Sequence, residues 1–416
     1  MAYLHCTNCS WRGTEPIHGH IAIRRCPECT EPVEVRFGDG RWPMLDSLYS
    51  SESGLGEGNT PLLAVSGLRE RLGIPNLWLK NEPVNPTGSF KDRGTAAEMA
   101  GAAASGFDTV AVVSSGNMAA SVAAYGAAAG VRPIVIVPAD TQREKLLGIL
   151  AFDPIMVLAE GNVGDIRQQA ERAGAELDIP FFGPDSPLRV EGQKTIAFEI
   201  AAQIGGVDTR GAAGWNALAQ TGDLMGPDYV FVPISSGGHM AAVLKGFEEL
   251  VAAGVLQKMP QVVGVQSSGC DPIARAFLSG GPIEPLPGAR TRAHAIGNST
   301  PSSGDRVLRV LRRLNSGGII AVPDDDMLAV QRLIAETTGL FVQMESAASV
   351  AGLIAWQERF GIAEGARIAC ILTGSGLKDV ATVTEWQGTR SEIRLPAPGG
   401  PEQWLKLLSD AMRVYE

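Results

Sequence analysis

The run Asn85-Pro86-Thr87-Gly88-Ser89-Phe90-Lys91-Asp92-Arg93-Gly94 sets one lysine in a Pro/Gly/Ser turn, just before an Ala-rich helical stretch, Thr95 to Ala104. The positive end of a helix disfavours an ammonium, and so does removal from water. Both effects free the amine of Lys91, and a free amine condenses with an aldehyde. Three more segments follow the order strand, small-residue turn, helix. They are Ser114-Ser115-Gly116-Asn117, Ser235-Ser236-Gly237-Gly238-His239 and Leu372-Thr373-Gly374-Ser375-Gly376-Leu377-Lys378-Asp379. Backbone N–H groups at such helix entrances suit a carboxylate or a phosphate. Each segment also has a plain structural reading: a loop lysine, an N-cap, a tight turn and a cap after a strand.

A second chemistry sits at the N-terminus. Cys6-x2-Cys9 and Cys26-x2-Cys29 hold four of the six cysteines, and 16 residues separate the pairs. This spacing matches a structural zinc ribbon with four thiolates and no open position. A disulfide framework and a redox pair are the competing readings. Cys270 and Cys370 lie in apolar surroundings and read as core residues.

The elements that must position these groups alternate short β-branched runs with helix-length segments. Strands are expected at Thr109 to Ser114, Pro133 to Val137, Pro154 to Leu158, Tyr229 to Ile234, Gln261 to Gln266, Gly318 to Val322 and Arg367 to Thr373. Helices are expected near Met118 to Gly130, Thr141 to Phe152, Val163 to Leu177, Asp325 to Thr338 and Ser346 to Phe360, with another starting at His239. This is the pattern of parallel sheets wrapped by helices, and it implies two α/β lobes with a ligand cleft between them. Phe37 to Asn59 reads as a connector, Gly280 to Gly304 as a long loop lining or covering the cleft, and the stretch from Gln387 onward as a peripheral tail.

At 416 residues, 45% of them hydrophobic and 19% charged, the chain is long enough for two packed domains and an appendage. A net charge of −10 argues against a nucleic-acid or anionic-membrane partner. The N-terminus lacks a basic region followed by an apolar core, so no signal peptide is evident and a cytoplasmic location is the expectation.

The lysine run and the motifs that follow it, in this chain order, resemble the threonine synthase family among the fold-type II pyridoxal-phosphate (PLP) enzymes. The likeness spans roughly residues 1 to 385 and includes the ribbon. It implies a two-lobed α/β fold like that of the tryptophan synthase β chain, with a small N-terminal zinc ribbon. The implied domains are residues 1–36 for the ribbon, 37–92 with 195–386 for the large lobe, 93–194 for the small lobe, and 387–416 for the tail. The resemblance makes Lys91 the cofactor lysine and gives the ring of Phe90 a cofactor contact. It places Asn117 at the cofactor's phenolic oxygen, Ser235, Ser236, Gly237, Gly238 and His239 around its phosphate, and Thr373 at its ring nitrogen. Ser114, Ser115, Gly116 and Met118 would hold the amino-acid substrate. Arg189, in Arg189-Val190-Glu191-Gly192-Gln193-Lys194-Thr195, would bind the substrate phosphate; this run lacks the order of a nucleotide P-loop. Cys6, Cys9, Cys26 and Cys29 would hold zinc.

The implied activity is a PLP-dependent lyase reaction by β/γ-elimination or replacement, converting O-phosphohomoserine and water to threonine and phosphate. The implied assembly is a homo-oligomer, most simply a dimer. Three sites depart from the family pattern. Ser236 and His239 replace two asparagines of the phosphate loop, Met118 replaces a threonine, and Gly183-Pro184 stands where Asn-Ser is usual. Met118, Gly183 and Pro184 raise an alternative, β-elimination or β-replacement on another activated amino acid such as O-phosphoserine. A third reading is a non-catalytic binding protein.

Overall fold

The computed structural model describes residues 2–13, 25–37, 54–161, 163–209 and 217–386, with isolated positions between 404 and 409. Most of the Phe37–Asn59 connector and of the tail from Gln387 lies outside them. Two units are resolved, Met1–Asp379 and Val380–Glu416.

The first unit begins with the antiparallel pair β1 (Ala2–Cys6) and β2 (Val33–Phe37). A six-stranded sheet forms its largest layer, from β3 (Leu62–Leu63), β4 (Leu77–Asn81), β8 (Tyr229–Pro233), β9 (Gln261–Ser267), β10 (Gly318–Val322) and β11 (Ile368–Leu372). The strand order is β10-β9-β8-β11-β4-β3, parallel except for β3. A separate three-stranded parallel sheet joins β5 (Thr109–Val113), β6 (Arg132–Pro138) and β7 (Ile155–Ala159). Seven expected strands form within two residues of their expected bounds. The apolar runs of β5, β8, β9, β10 and β11 are almost wholly buried, as a helix-covered parallel sheet requires, whereas the edge strand β7 leaves Ile155, Val157 and Leu158 exposed.

The helices are α1 (Ser66–Leu72), α2 (Lys91–Ala104), α3 (Asn117–Ala129), α4 (Arg143–Leu150), α5 (Val163–Glu176), α6 (Pro187–Ile204), α7 (Gly238–Ala252), α8 (Pro272–Ser279), α9 (Gly304–Leu314), α10 (Asp324–Thr338) and α11 (Met344–Phe360). In the second unit, α12 spans Thr382–Trp386. The sequence pattern did not reveal α6, because it has no apolar stripe. Its residues from Pro187 to Ala202 are all buried, charged ones included. It packs between α2 and α7 at very short range. A Cβ on Gly192 would stand 2.0 Å from the Arg93 carbonyl oxygen, so only glycine lets the α2 and α6 backbones meet.

Candidate active site

The cation of α2 and its surroundings are set first. The Lys91 turn is tied to the loop after β11 by an antiparallel bridge of two backbone hydrogen bonds. Phe90 N–H donates to the Thr373 carbonyl at 3.0 Å and Ser375 N–H donates to the Gly88 carbonyl at 2.9 Å, so that Ser89 pairs with Gly374. Asp92 accepts from the Thr87 backbone N–H and hydroxyl, both at 2.6 Å, and closes the turn on itself. Gly88 sits at φ +77°, a left-handed conformation that glycine adopts without strain.

Lys91 lies at the first position of α2 with its Nζ 4.6 Å from the Phe90 ring centroid. Burial pulls its pKa down to about 7, Arg189 and Arg167 push the same way, and Glu98 opposes. A good share of this amine is therefore neutral near pH 7, as a nucleophile toward an aldehyde requires. The opposite face of chemistry is supplied by His239, whose ring stacks on Phe90 with centroids 4.0 Å apart. Burial, then Lys91 and Arg93, lower its pKa to about 3 against a weaker pull from the Pro233 carbonyl, so the imidazole is neutral.

The four motif segments lie at the C-terminal ends of parallel strands, where open α/β sheets bind ligands. Asn117 opens α3 after β5, and Gly237, at φ +96°, turns the chain from β8 into α7. Thr373, 7% exposed, follows β11. Its hydroxyl lies 3.1 Å from the Ser346 hydroxyl, and Ser346 Oγ also accepts from the backbone N–H groups of Thr373 at 3.0 Å and Gly374 at 2.7 Å. Asn117 is held at both ends of its amide. Its Nδ2 donates to Gln343 Oε1 at 2.6 Å, and its Oδ1 accepts from Lys378 Nζ at 2.9 Å. Lys378, within the fourth motif, thus joins the site together with Gln343 and Ser346, which no spacing in the chain announces: Asn117 and Gln343 are 226 residues apart.

Arg189 lies under the first turns of α2, fully buried. It pairs with Glu98 and donates to the Thr95 hydroxyl at 3.1 Å and the Lys91 carbonyl at 3.4 Å, while its Nε keeps an unused donor. Ser114 and Ser115 are half-buried, Gly116 is exposed and Met118 is buried. Gly183-Pro184 packs on the turn into α7: a Cβ on Gly238 would stand 2.1 Å from the Pro184 carbonyl oxygen.

The residues fit PLP. A low-pKa amine is present for its aldehyde, and the Gly237-Gly238 turn opens a 15-residue helix toward an anion. Ser89 Oγ and Ser303 Oγ are buried next to these two elements without hydrogen-bond partners among the described residues, and buried polar atoms ordinarily have one.

The four N-terminal cysteines also meet. Their Sγ atoms lie within 4.8 Å of one another, and the shortest approaches are 3.4 Å for Cys6–Cys29 and 3.6 Å for Cys9–Cys26. These spacings exceed a disulfide bond and suit thiolates around one ion.

A buried lysine on an anchored turn, a glycine turn opening a helix and a hydroxyl after the last strand, set on two largely parallel sheets, suit an aldehyde-cofactor enzyme of the α/β class. The chain belongs to the family of pyridoxal-phosphate dependent enzymes, whose model matches residues 54–374. It is 35% identical to the threonine synthase of Methanocaldococcus jannaschii, over 82% of this chain and 81% of that protein. It is 33% identical to the threonine synthase of Mycobacterium bovis, over 82% and 90%. Among solved structures, the processed form of threonine deaminase isoform 2 from Solanum lycopersicum superposes with a TM-score of 0.69 at 22% identity, over 85% and 90%. Maize serine racemase superposes with a TM-score of 0.63 at 20% identity, over 82% and 98%. These likenesses show the fold, a mixed α/β architecture shared with fold-type II PLP enzymes. The protein is a PLP-dependent lyase of the threonine synthase-like kind. Among the described residues no helix is long and apolar enough to cross a membrane.

Proposed function

We propose that the protein releases phosphate from an O-phosphorylated amino acid, with O-phosphohomoserine as substrate and threonine as product. The observation that carries this is the buried Lys91 amine, its pKa lowered to about 7, on a turn bonded to the loop of Thr373, in a chain 35% identical to a threonine synthase. PLP, when bound, withdraws electrons from the substrate's α carbon and so makes its proton removable.

This chain's own residues would do the rest. Lys91 would hold the cofactor's aldehyde, and its amine would carry the proton from the substrate's Cα. The N–H groups at the start of α3, from Ser115 to Asn117, take the substrate carboxylate. Ser235 to His239 would hold the cofactor phosphate, Asn117 its phenolic oxygen, Thr373 its ring nitrogen and Phe90 its edge. Ser346 fixes the direction of the Thr373 hydroxyl by occupying the backbone donors around it. A neutral hydroxyl at the ring nitrogen, in place of a carboxylate, favours elimination and replacement over transamination. The unused Nε of Arg189 is the donor offered to the substrate phosphate. A zinc ion on Cys6, Cys9, Cys26 and Cys29 would fix the ribbon.

Met118 and Pro184 favour a second substrate, O-phosphoserine, because a thioether and a proline replace donors to the substrate phosphate. The two readings separate in one assay. Purified enzyme releases phosphate and forms threonine from O-phosphohomoserine at least tenfold faster than it releases phosphate from O-phosphoserine. The reverse order assigns β-elimination instead.

A further inference from the structure

We infer that Arg25 of the N-terminal ribbon is a positioning residue for the cofactor-phosphate turn. The inference rests on the reading of Ser235 to His239 as that turn.

The turn stands between two walls. On one side Ser303 N–H donates to the Ser236 carbonyl at 2.8 Å, and a Cβ on Gly237 would stand 2.8 Å from the Ser303 carbonyl. On the other side the Pro184 carbonyl rests against Gly238, with the Asp185 backbone behind it. The two walls belong to distant parts of the chain, and no backbone hydrogen bond joins them among the described residues. One side chain does. The Arg25 guanidinium donates from Nη2 to Asp185 Oδ2 at 2.5 Å and to the Ser302 carbonyl at 3.2 Å. Asp185 is buried, its side chain 6% exposed, so its charge needs a partner, and among the described residues Arg25 supplies it.

The ribbon has the purchase to hold this strap. Arg25 precedes the ligand Cys26, and the ribbon docks on α9, the helix that Ser303 leads into. Arg306 pairs there with the buried Glu34, and Arg309 pairs with Glu31 at 2.6 Å. The strap therefore runs from the cysteine cluster to both sides of the turn into α7. Without it, the Ser302–Gly304 wall and the Pro184–Asp185 wall are free to part, and the backbone N–H groups of the turn lose their common aim. The effect falls on the cofactor's phosphate alone, since the aldehyde is captured by Lys91 on a different element.

The test uses full-length protein freed of cofactor with its metal retained, titrated in parallel with PLP and with pyridoxal, which has the aldehyde but no phosphate. Wild-type protein binds PLP far more tightly than pyridoxal; equal affinities would remove the phosphate-turn reading itself. Arg25→Ala weakens PLP by about tenfold, the scale of a lost charge-assisted contact, and leaves pyridoxal unchanged. Asp185→Asn shifts PLP the same way, and Arg25→Lys restores part of the loss through Asp185. If both ligands weaken equally, or PLP affinity does not move in either variant, Arg25 serves only the packing of the ribbon and the inference is wrong.

Discussion

Lys91→Ala lowers turnover by about 10³-fold or more, because one amine anchors the cofactor and moves the proton. The substitution leaves the fold intact. Lys91 makes no ion pair among the described residues, and its first-turn position on α2 accepts alanine well. Near-native melting together with lost activity and lost cofactor absorbance is the expected combination. A variant that keeps its cofactor absorbance contradicts the assignment.

The same amine sets a pH dependence. The pKa is lowered from its ordinary value to about 7 by burial, helped by Arg189 and Arg167. Only the neutral amine attacks an aldehyde. The rate at which cofactor-free protein captures PLP therefore rises about tenfold per pH unit below 7 and levels off above it. An ordinary lysine would show a rising rate up to about pH 10.

The second large effect lies beneath α2. Arg93, two residues after Lys91, is fully buried and paired with two carboxylates. It reaches Glu82 at 2.7 Å and Glu199 at 2.5 Å, while Lys80 reaches Glu199 at 2.6 Å. Thr60, Thr195 and Gln203 satisfy further donors and acceptors of the group. Two cations and two anions balance in a space that excludes water. Glu199→Ala leaves Lys80 and Arg93 facing each other with one carboxylate between them. Removing one member of such a buried set costs about 3–5 kcal/mol. A marked fall in the urea midpoint is expected, while Glu358→Ala, at an exposed site on α11, stays within about 0.5 kcal/mol of wild type. Equal midpoints for the two variants contradict the role given to the network.

Acid acts on the same groups. Burial alone would raise the Glu199 pKa, but Arg93 and Lys80 outweigh it and lower it to about 2, and Lys194 with Lys245 does the same for Glu249. A carboxylate with a depressed folded-state pKa stabilises the fold above its unfolded value near 4.5. That contribution is lost as the pH falls toward 2, because the unfolded chain takes up protons first.

What the sequence disclosed follows a physical line. The parallel strands were legible because their side chains are apolar on both faces. The motif turns were legible because glycine, serine and asparagine cluster where a strand must hand over to a helix. The lysine stood out because its turn is built from residues that fix its backbone. Helix α6 was not legible. Its charges, among them Arg189, Glu191, Lys194 and Glu199, look like a solvated surface until their partners on α2, α7 and β4 are brought in. Gln343 and Ser346 escaped for the same reason: their roles are created by contacts with Asn117 and the loop after β11, distant in the chain. Arg25 carries no motif of its own, and its two acceptors, distant in the chain, give it a purpose.

The most direct test of the central claim is reductive trapping with sodium borohydride followed by peptide mass mapping. Lys91 is expected to carry the mass of the reduced cofactor at close to one per chain, with Lys378, the other lysine at the site, unlabelled. A protein that takes up no label, or takes it up on a lysine other than Lys91, contradicts the account.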